Sequence, residues 1–329
     1  MDRRSILLSP FAGAIAMMRG GKAAPAANPQ VASTTPAAKP KRINKCIELL
    51  EQGQPIYYTM ATGGYDEGKK LAQTWADMII YDMEHGPLDM VGLEGFMKGL
   101  VDGGPTKSGH RTPAVVPQLP VGGWDAETVQ ASYWMFHQCL DMGVHGIHLC
   151  HAGTAGAVRT MVRSVRYPFN RVGVDPECPE GRRGSGGQNR AAKIWDIPVP
   201  EYLKKADVWP LNPEGELLLG IKCEDKYALV NCEKSCAVPG IGFAEWGPGD
   251  MAMSFDSMAN HHEPYDPNSV MGRARARVFA AAKANHLFFL NSANVNDIEG
   301  MIKEGVMIGA GNEAAAEKGR KFTKRTMPW

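Results

Sequence analysis

The chain has 329 residues, 44% hydrophobic and 22% charged, which excludes disorder for its bulk because enough apolar surface is present to build a core. With 36 basic and 35 acidic side chains the net charge is +1, so no electrostatic case exists for a nucleic-acid partner, whose binding needs a basic stripe. Seven cysteines, a low and odd number, exclude a disulfide scaffold.

Residues 1–27 stand apart from the rest. Arg3 and Arg4 precede an apolar stretch from Ile6 to Met18, and Ala24-Pro25-Ala26 supplies small residues for cleavage. The pattern resembles a twin-arginine export signal and predicts a periplasmic or exported protein; a frayed N-terminal helix on a cytoplasmic protein is the alternative. The stretch is too short to span a bilayer, which takes roughly 20 apolar residues, so no membrane anchor is expected. Residues 28–42, rich in Ala, Pro and Thr, read as a tether.

From residue 43 to residue 329 the pattern is that of one folded domain. Ile43 to Gln52 has helical periodicity and stops at Gly53. Strands follow at Ile56–Thr62, Met78–Glu84, Ala114–Leu119, Gly146–Cys150, Leu217–Glu224, Gly242–Trp246, Leu287–Asn291 and Met307–Gly311. Helices are predicted between them, most clearly at Glu67–Ala76, Leu93–Val101, Ala126–Met142, Ala157–Tyr167, Met271–Asn285 and Asp297–Glu304. A terminal helix runs from Glu313 to Arg325. Such alternation predicts an α/β fold, a (β/α)8 TIM barrel, with a doubly wound open sheet as the alternative. No GxGxxG follows the first strand, which weakens a nucleotide-binding reading. The connection 168–216 is long and is expected to cover part of the barrel mouth or a subunit interface.

Active sites of such barrels lie at the C-terminal ends of the strands, so polar residues there are the candidates. Strand 2 ends Tyr81-Asp82-Met83-Glu84-His85, with Asp82 and Glu84 on one face by the two-residue period. Strand 5 ends Lys222-Cys223-Glu224, and strand 6 runs through Glu245-Trp246-Gly247-Pro248-Gly249-Asp250. Carboxylates converging on one mouth repel, and a divalent cation resolves that; Glu224 and Asp250 supply hard oxygen ligands that suit Mg, Mn or Co. Helix capping, with Asp250 as an N-cap, or pairing with Lys and Arg is the alternative for these carboxylates. Cys150 and His151, at the end of strand 4, resemble a soft-metal pair, and read otherwise as packing or as a lining of the mouth.

These residues carry a specific resemblance. Asp82-Met83-Glu84-His85 is similar to the D-x-E-H motif of the HpcH/HpaI aldolases, metal-dependent class II pyruvate aldolases. Leu140-Asp141-Met142-Gly143, Arg166-Tyr167-Pro168 with Gly181-Arg182-Arg183-Gly184, Cys223-Glu224, and Gly247-Pro248-Gly249-Asp250-Met251 match further family motifs in order over residues 43–325. The resemblance implies metal ligation by Glu224 and Asp250, and His85 as base, with Asp82 or Asp141 orienting it. In this family the dyad carboxylate can come from a neighbouring subunit. It further implies Glu84 beside metal-bound water, and backbone N–H groups around Gly249 holding the substrate carboxylate. Trp246 is expected to wall the pocket. The implied partners are a small 2-oxo acid and an aldehyde, and the implied assembly is a homo-oligomer, trimer or hexamer.

Two positions depart from the family. Its strand-3 arginine falls here on Val116, or on Gln118 with one inserted residue. Its usual glutamine two residues before the metal glutamate is Lys222. The cation has therefore moved from strand 3 to strand 5, unless Lys222 forms a Schiff base or is a core lysine paired to Glu224. The expected activity is metal-dependent retro-aldol cleavage of a 4-hydroxy-2-oxo acid to pyruvate and an aldehyde. The alternatives are cleavage of an aromatic-side-chain, malyl or citramalyl substrate, and a metal-retaining binding protein without turnover.

Overall fold

The computed structural model describes residues 41–256, 266–309 and 311–329, so the segment read as an export signal and nearly all of the expected tether lie outside the described residues. The chain separates into the units Met1–Pro36 and Ala37–Trp329, and the second is the barrel. Its strands are β1 (Ile56–Ala61), β2 (Met78–Asp82), β3 (Ala114–Leu119), β4 (Gly146–Leu149), β5 (Val208–Trp209), β6 (Leu217–Lys222), β7 (Phe243–Glu245), β8 (Phe288–Leu290) and β9 (Val306–Gly309). Parallel pairing runs β1 to β4 in chain order, then β4 to β6, onward to β9 and back to β1. Eight strands thus close a (β/α)8 barrel, and the two-residue β5 adds outside the ring against β6.

Strand alternation divides the core in two. Tyr58, Met78, Ile80, Ala114, Val116, Leu218, Phe243 and Ile308 fill the barrel interior. Ile79, Val115, Ile147, Leu219, Ile221 and Phe289 face the surrounding helices. The helix starts are set by side chains that accept from exposed N–H groups of the first turn: Asp125 for α4 (Ala126–Asp141), Thr154 for α5 (Ala155–Val165) and Asp225 for α8 (Lys226–Cys236). Helix α1 (Lys45–Glu51), capped by Asn44, buries Ile47, Leu49 and Leu50 against the interior cluster and closes the N-terminal end.

The 168–216 connection carries α6 (Gln188–Trp195), α7 (Val199–Lys205) and β5. It packs at the flank and N-terminal end: Trp195 Nε1 donates to Gly143 O at 2.8 Å, and its ring stacks on His145. Residues of this connection do not line the cavity at the C-terminal mouth, one of the two places, with a subunit interface, that it was expected to cover. Among the described residues no helix is long and apolar enough to cross a membrane.

Candidate active site at the barrel mouth

A cavity of about 190 Å3 opens at the C-terminal ends of the strands, lined by Tyr58, His85, Gln118, Lys222, Glu224, Glu245, Gly249 and Asp250 among others. Strand β2 ends at Asp82, two residues earlier than the alternation predicts, because Asp82 folds the chain into a turn. Its Oδ1 accepts from the N–H groups of Glu84 and His85 at 3.0 and 3.1 Å. The same carboxylate holds the imidazole, with Oδ2 3.1 Å from His85 Nδ1. The turn carries Glu84 inward, where its Oε2 accepts from Lys222 Nζ at 2.8 Å and from Gln118 Nε2.

Lys222 Nζ also lies 2.6 Å from Glu224 Oε2, so one ammonium bridges two carboxylates. The neighbouring carboxylates Glu224, Glu245 and Glu84 hold its pKa above the ordinary lysine value despite burial. It is therefore an ammonium, and the neutral amine a Schiff base needs is disfavoured. The Lys222 charge overcomes the burial of Glu84 and holds that carboxyl at about 2. Gln118 at the end of β3 pairs in register with Asp82 and faces the cavity, whereas Val116 lies deeper in the barrel interior.

Glu224 is buried, and burial with the Glu84 charge raises its pKa. Its Oε1 accepts from His151 N–H at 2.8 Å. Gly247, at φ 49°, brings the backbone against Glu224: a Cβ there would meet Glu224 Cβ at 2.3 Å. Helix α9 (Pro248–Ser254) starts at Gly247, so Asp250 sits in the first turn and is not the N-cap. Oxygens of Glu224 and Asp250 and a nitrogen of His151 all lie within 4.8 Å of one another; Glu84, Cys150 and Glu224 form a second such group.

Two expected site residues stand elsewhere. Trp246 is fully buried among the residues between sheet and helices. The strand period turns Glu245, not Trp246, toward the mouth. Asp141 ends α4, just before the N-terminal end of β4, while His85 follows the C-terminal end of β2; the chain's own Asp141 is thus at the opposite end of the barrel from His85. It lies 3.3 Å from Arg183 Nη2.

Glu245 was passed over in the sequence although its pairing with Lys222 across β6 and β7 marks it. Burial, with Glu224, Glu84 and Asp250 nearby, raises its pKa to about 7 in spite of Lys222. Glu84, Glu224 and Glu245 thus crowd one ammonium, with Asp250 beside Glu245, and such a cluster of carboxylates fits a divalent cation.

A closed parallel barrel with this mouth is the architecture of an enzyme, and the comparisons support lyase activity. No protein-family profile matches the chain. It is 26% identical to a hydroxypyruvate/pyruvate aldolase of Roseovarius nubinhibens over 237 residues, 72% of this chain and 74% of the relative. It is 25% identical to one of Roseobacter denitrificans over 273 residues, 82% of this chain and 90% of the relative. An HpcH/HpaI aldolase/citrate lyase family protein from Burkholderia cenocepacia superposes with a TM-score of 0.62 at 22% identity, covering 85% of this chain and 98% of that one. An HpcH/HpaI aldolase from Desulfitobacterium hafniense gives 0.59 at 20%, covering 85% and 96%. Those structural likenesses speak to the fold. With the sequence matches and the ordered motifs, the chain is a relative of the HpcH/HpaI aldolases.

Proposed function

We propose that the chain is a metal-dependent carbon–carbon lyase that cleaves a 4-hydroxy-2-oxo acid into pyruvate and an aldehyde by a retro-aldol reaction. The observation that carries it is the convergence of Glu224 and Asp250 at a mouth that also holds His85 and Lys222. Kinship with hydroxypyruvate/pyruvate aldolases supports the substrate class. Glu224 and Asp250 would hold a divalent cation (Mg, Mn or Co), which when bound supplies Lewis-acid polarisation of the 2-oxo acid.

The chain's own residues do the rest. His85 takes the proton of the 4-hydroxyl group; the carbon–carbon bond breaks, the aldehyde leaves, and the electron pair stays with pyruvate as its enolate, which a proton at C3 then converts to pyruvate. Asp82 keeps the imidazole oriented through Nδ1. Lys222 faces the developing enolate charge with a fixed positive charge, and Glu84 anchors it together with Gln118. Backbone N–H groups at Gly249 and Asp250 receive the substrate carboxylate.

The test is pyruvate release from a 4-hydroxy-2-oxo acid, and decarboxylation of oxaloacetate, by metal-stripped protein and with Mn, Co or Mg restored. Metal-dependent pyruvate supports the reading; no pyruvate from folded protein with any metal overturns it. A second reading, cleavage of an aromatic-side-chain, malyl or citramalyl substrate, is favoured by the uncharged Gln118 in the cavity wall. Export is proposed from Arg3, Arg4 and the apolar stretch after them. A homo-oligomer, trimer or hexamer, is proposed because exposed Val91 and Trp134 offer apolar surface for a second copy. In it, Asp141 of another copy would approach His85.

A further inference from the structure

His151 is an imidazole placed among the acidic groups of the mouth that the reaction above leaves unused. It follows β4 with a left-handed backbone, φ 48°, a conformation that costs a non-glycine residue energy and persists only where surrounding contacts fix it. Two contacts do so. Its N–H donates to Glu224 Oε1 at 2.8 Å, and its Nδ1 lies 3.0 Å from Asp225 Oδ2. Asp225 is itself anchored, because its Oδ1 accepts from Tyr227 and Ala228 N–H at the start of α8.

A carboxylate only accepts, so Nδ1 of His151 carries the proton that joins them, and the lone pair of the neutral ring is left on Nε2. An anchored carboxylate on one imidazole nitrogen, with the other nitrogen turned to a cation site, is the recurrent support of a metal-ligating histidine. The distances agree. Nε2 lies 3.8 Å from Glu84 Oε1 and Nδ1 3.9 Å from Glu224 Oε1, and one nitrogen of His151 lies within 4.8 Å of carboxylate oxygens of both Glu224 and Asp250. Ligands about 2.1 Å from one ion stand roughly 3–4 Å apart, so bringing Nε2 onto a shared ion takes a closure of at most roughly 2 Å.

We infer that His151 is a third protein ligand of the divalent cation, beside Glu224 and Asp250, held in place by Asp225, and that this nitrogen tilts the site from Mg toward Co or Zn. The inference rests on the metal reading above. Its chemical reason is that imidazole suits Co and Zn, whereas an all-oxygen set suits Mg.

The experiment titrates metal-stripped protein with Co and, separately, with Mg. It follows binding by calorimetry and the visible absorption of bound Co, with circular dichroism as the folding control. His151→Ala removes the imidazole. His151→Asn also removes it and tolerates the left-handed backbone, so it serves where the alanine variant fails to fold. Expected is a loss of at least about 10-fold in Co affinity with a changed Co spectrum, while Mg affinity moves by less than about 3-fold. Unchanged Co affinity and spectrum in a folded variant overturns the inference and leaves the metal reading standing. A folded wild-type chain that binds neither metal overturns both.

Discussion

Lys222 decides the electrostatics of the mouth. It stands between Glu84 and Glu224, which would otherwise repel across the cavity. Lys222→Gln is expected to lower kcat for pyruvate release on the order of 100-fold, because the positive charge facing the enolate is lost. The same change should tighten metal binding, since the competing ammonium has gone; steady-state kinetics with calorimetry on one preparation reads both, and unchanged kcat would show that the charge is not used. Glu245 gives a pH signature. Its pKa is raised from 4.5 to about 7 in the fold, so the folded chain holds a proton that the unfolded chain has released. The resulting penalty is absent below pH 4.5, grows between pH 4.5 and about 7, and is full above that, where it reaches about 3 kcal/mol. Glu245→Gln should therefore raise the unfolding temperature of chelator-treated protein near about pH 8 and leave it unchanged near about pH 4. An equal shift at both values would assign the effect to packing rather than charge.

At the scale of strands and helices, the barrel depends on close approaches as much as on apolar runs. Gly220 in β6 faces Phe243 of β7 inside the barrel, and a Cβ at 220 would lie 2.0 Å from the ring. Gly220→Ala should cost about 1–3 kcal/mol in urea unfolding, and Phe243→Leu in the same chain should return part of it. All eight ring strands were legible, because short apolar runs bounded by turn residues leave little choice of register. Helices α6 and α7 were not, since each is under three turns and lies among glycines and prolines, so its periodicity never accumulates. The site was legible wherever a polar residue directly ended an apolar run, as with Asp82, Glu84, Lys222 and Glu224. It failed where inward parity had to be counted across a bend: Trp246 was chosen and Glu245 missed. His151 was visible as a residue, but its pairing with Asp225 joins two strand ends 74 residues apart, and no local pattern announces that.

The whole molecule separates its two ends by task. The C-terminal mouth collects charges that strain one another, whereas the N-terminal end collects charges that satisfy one another. There Asp77, buried just before β2, takes both guanidinium nitrogens of Arg325 at 2.6 Å each and lies 3.1 Å from Lys45 Nζ. It also accepts from Tyr57 N–H, so α1, the first strand and the segment after the terminal helix α12 (Glu313–Phe322) meet on one carboxylate. These cations hold its pKa well below the ordinary value in spite of full burial. Removing that charge strands Lys45 and Arg325 in an apolar setting, which is far more costly than never having had the pair. Asp77→Asn, nearly the same size, is therefore expected to lose about 3–5 kcal/mol in equilibrium unfolding. The mouth lies at the far end of a rigid parallel sheet, and in such barrels the end away from the active site serves stability. Hence KM for the 2-oxo acid in the folded fraction should stay within about 2-fold of the unaltered chain. A KM that rises with the loss of stability would show instead that the two ends are mechanically coupled, with the chain termini helping to hold the strand ends on which Glu84, Lys222 and Glu224 are mounted.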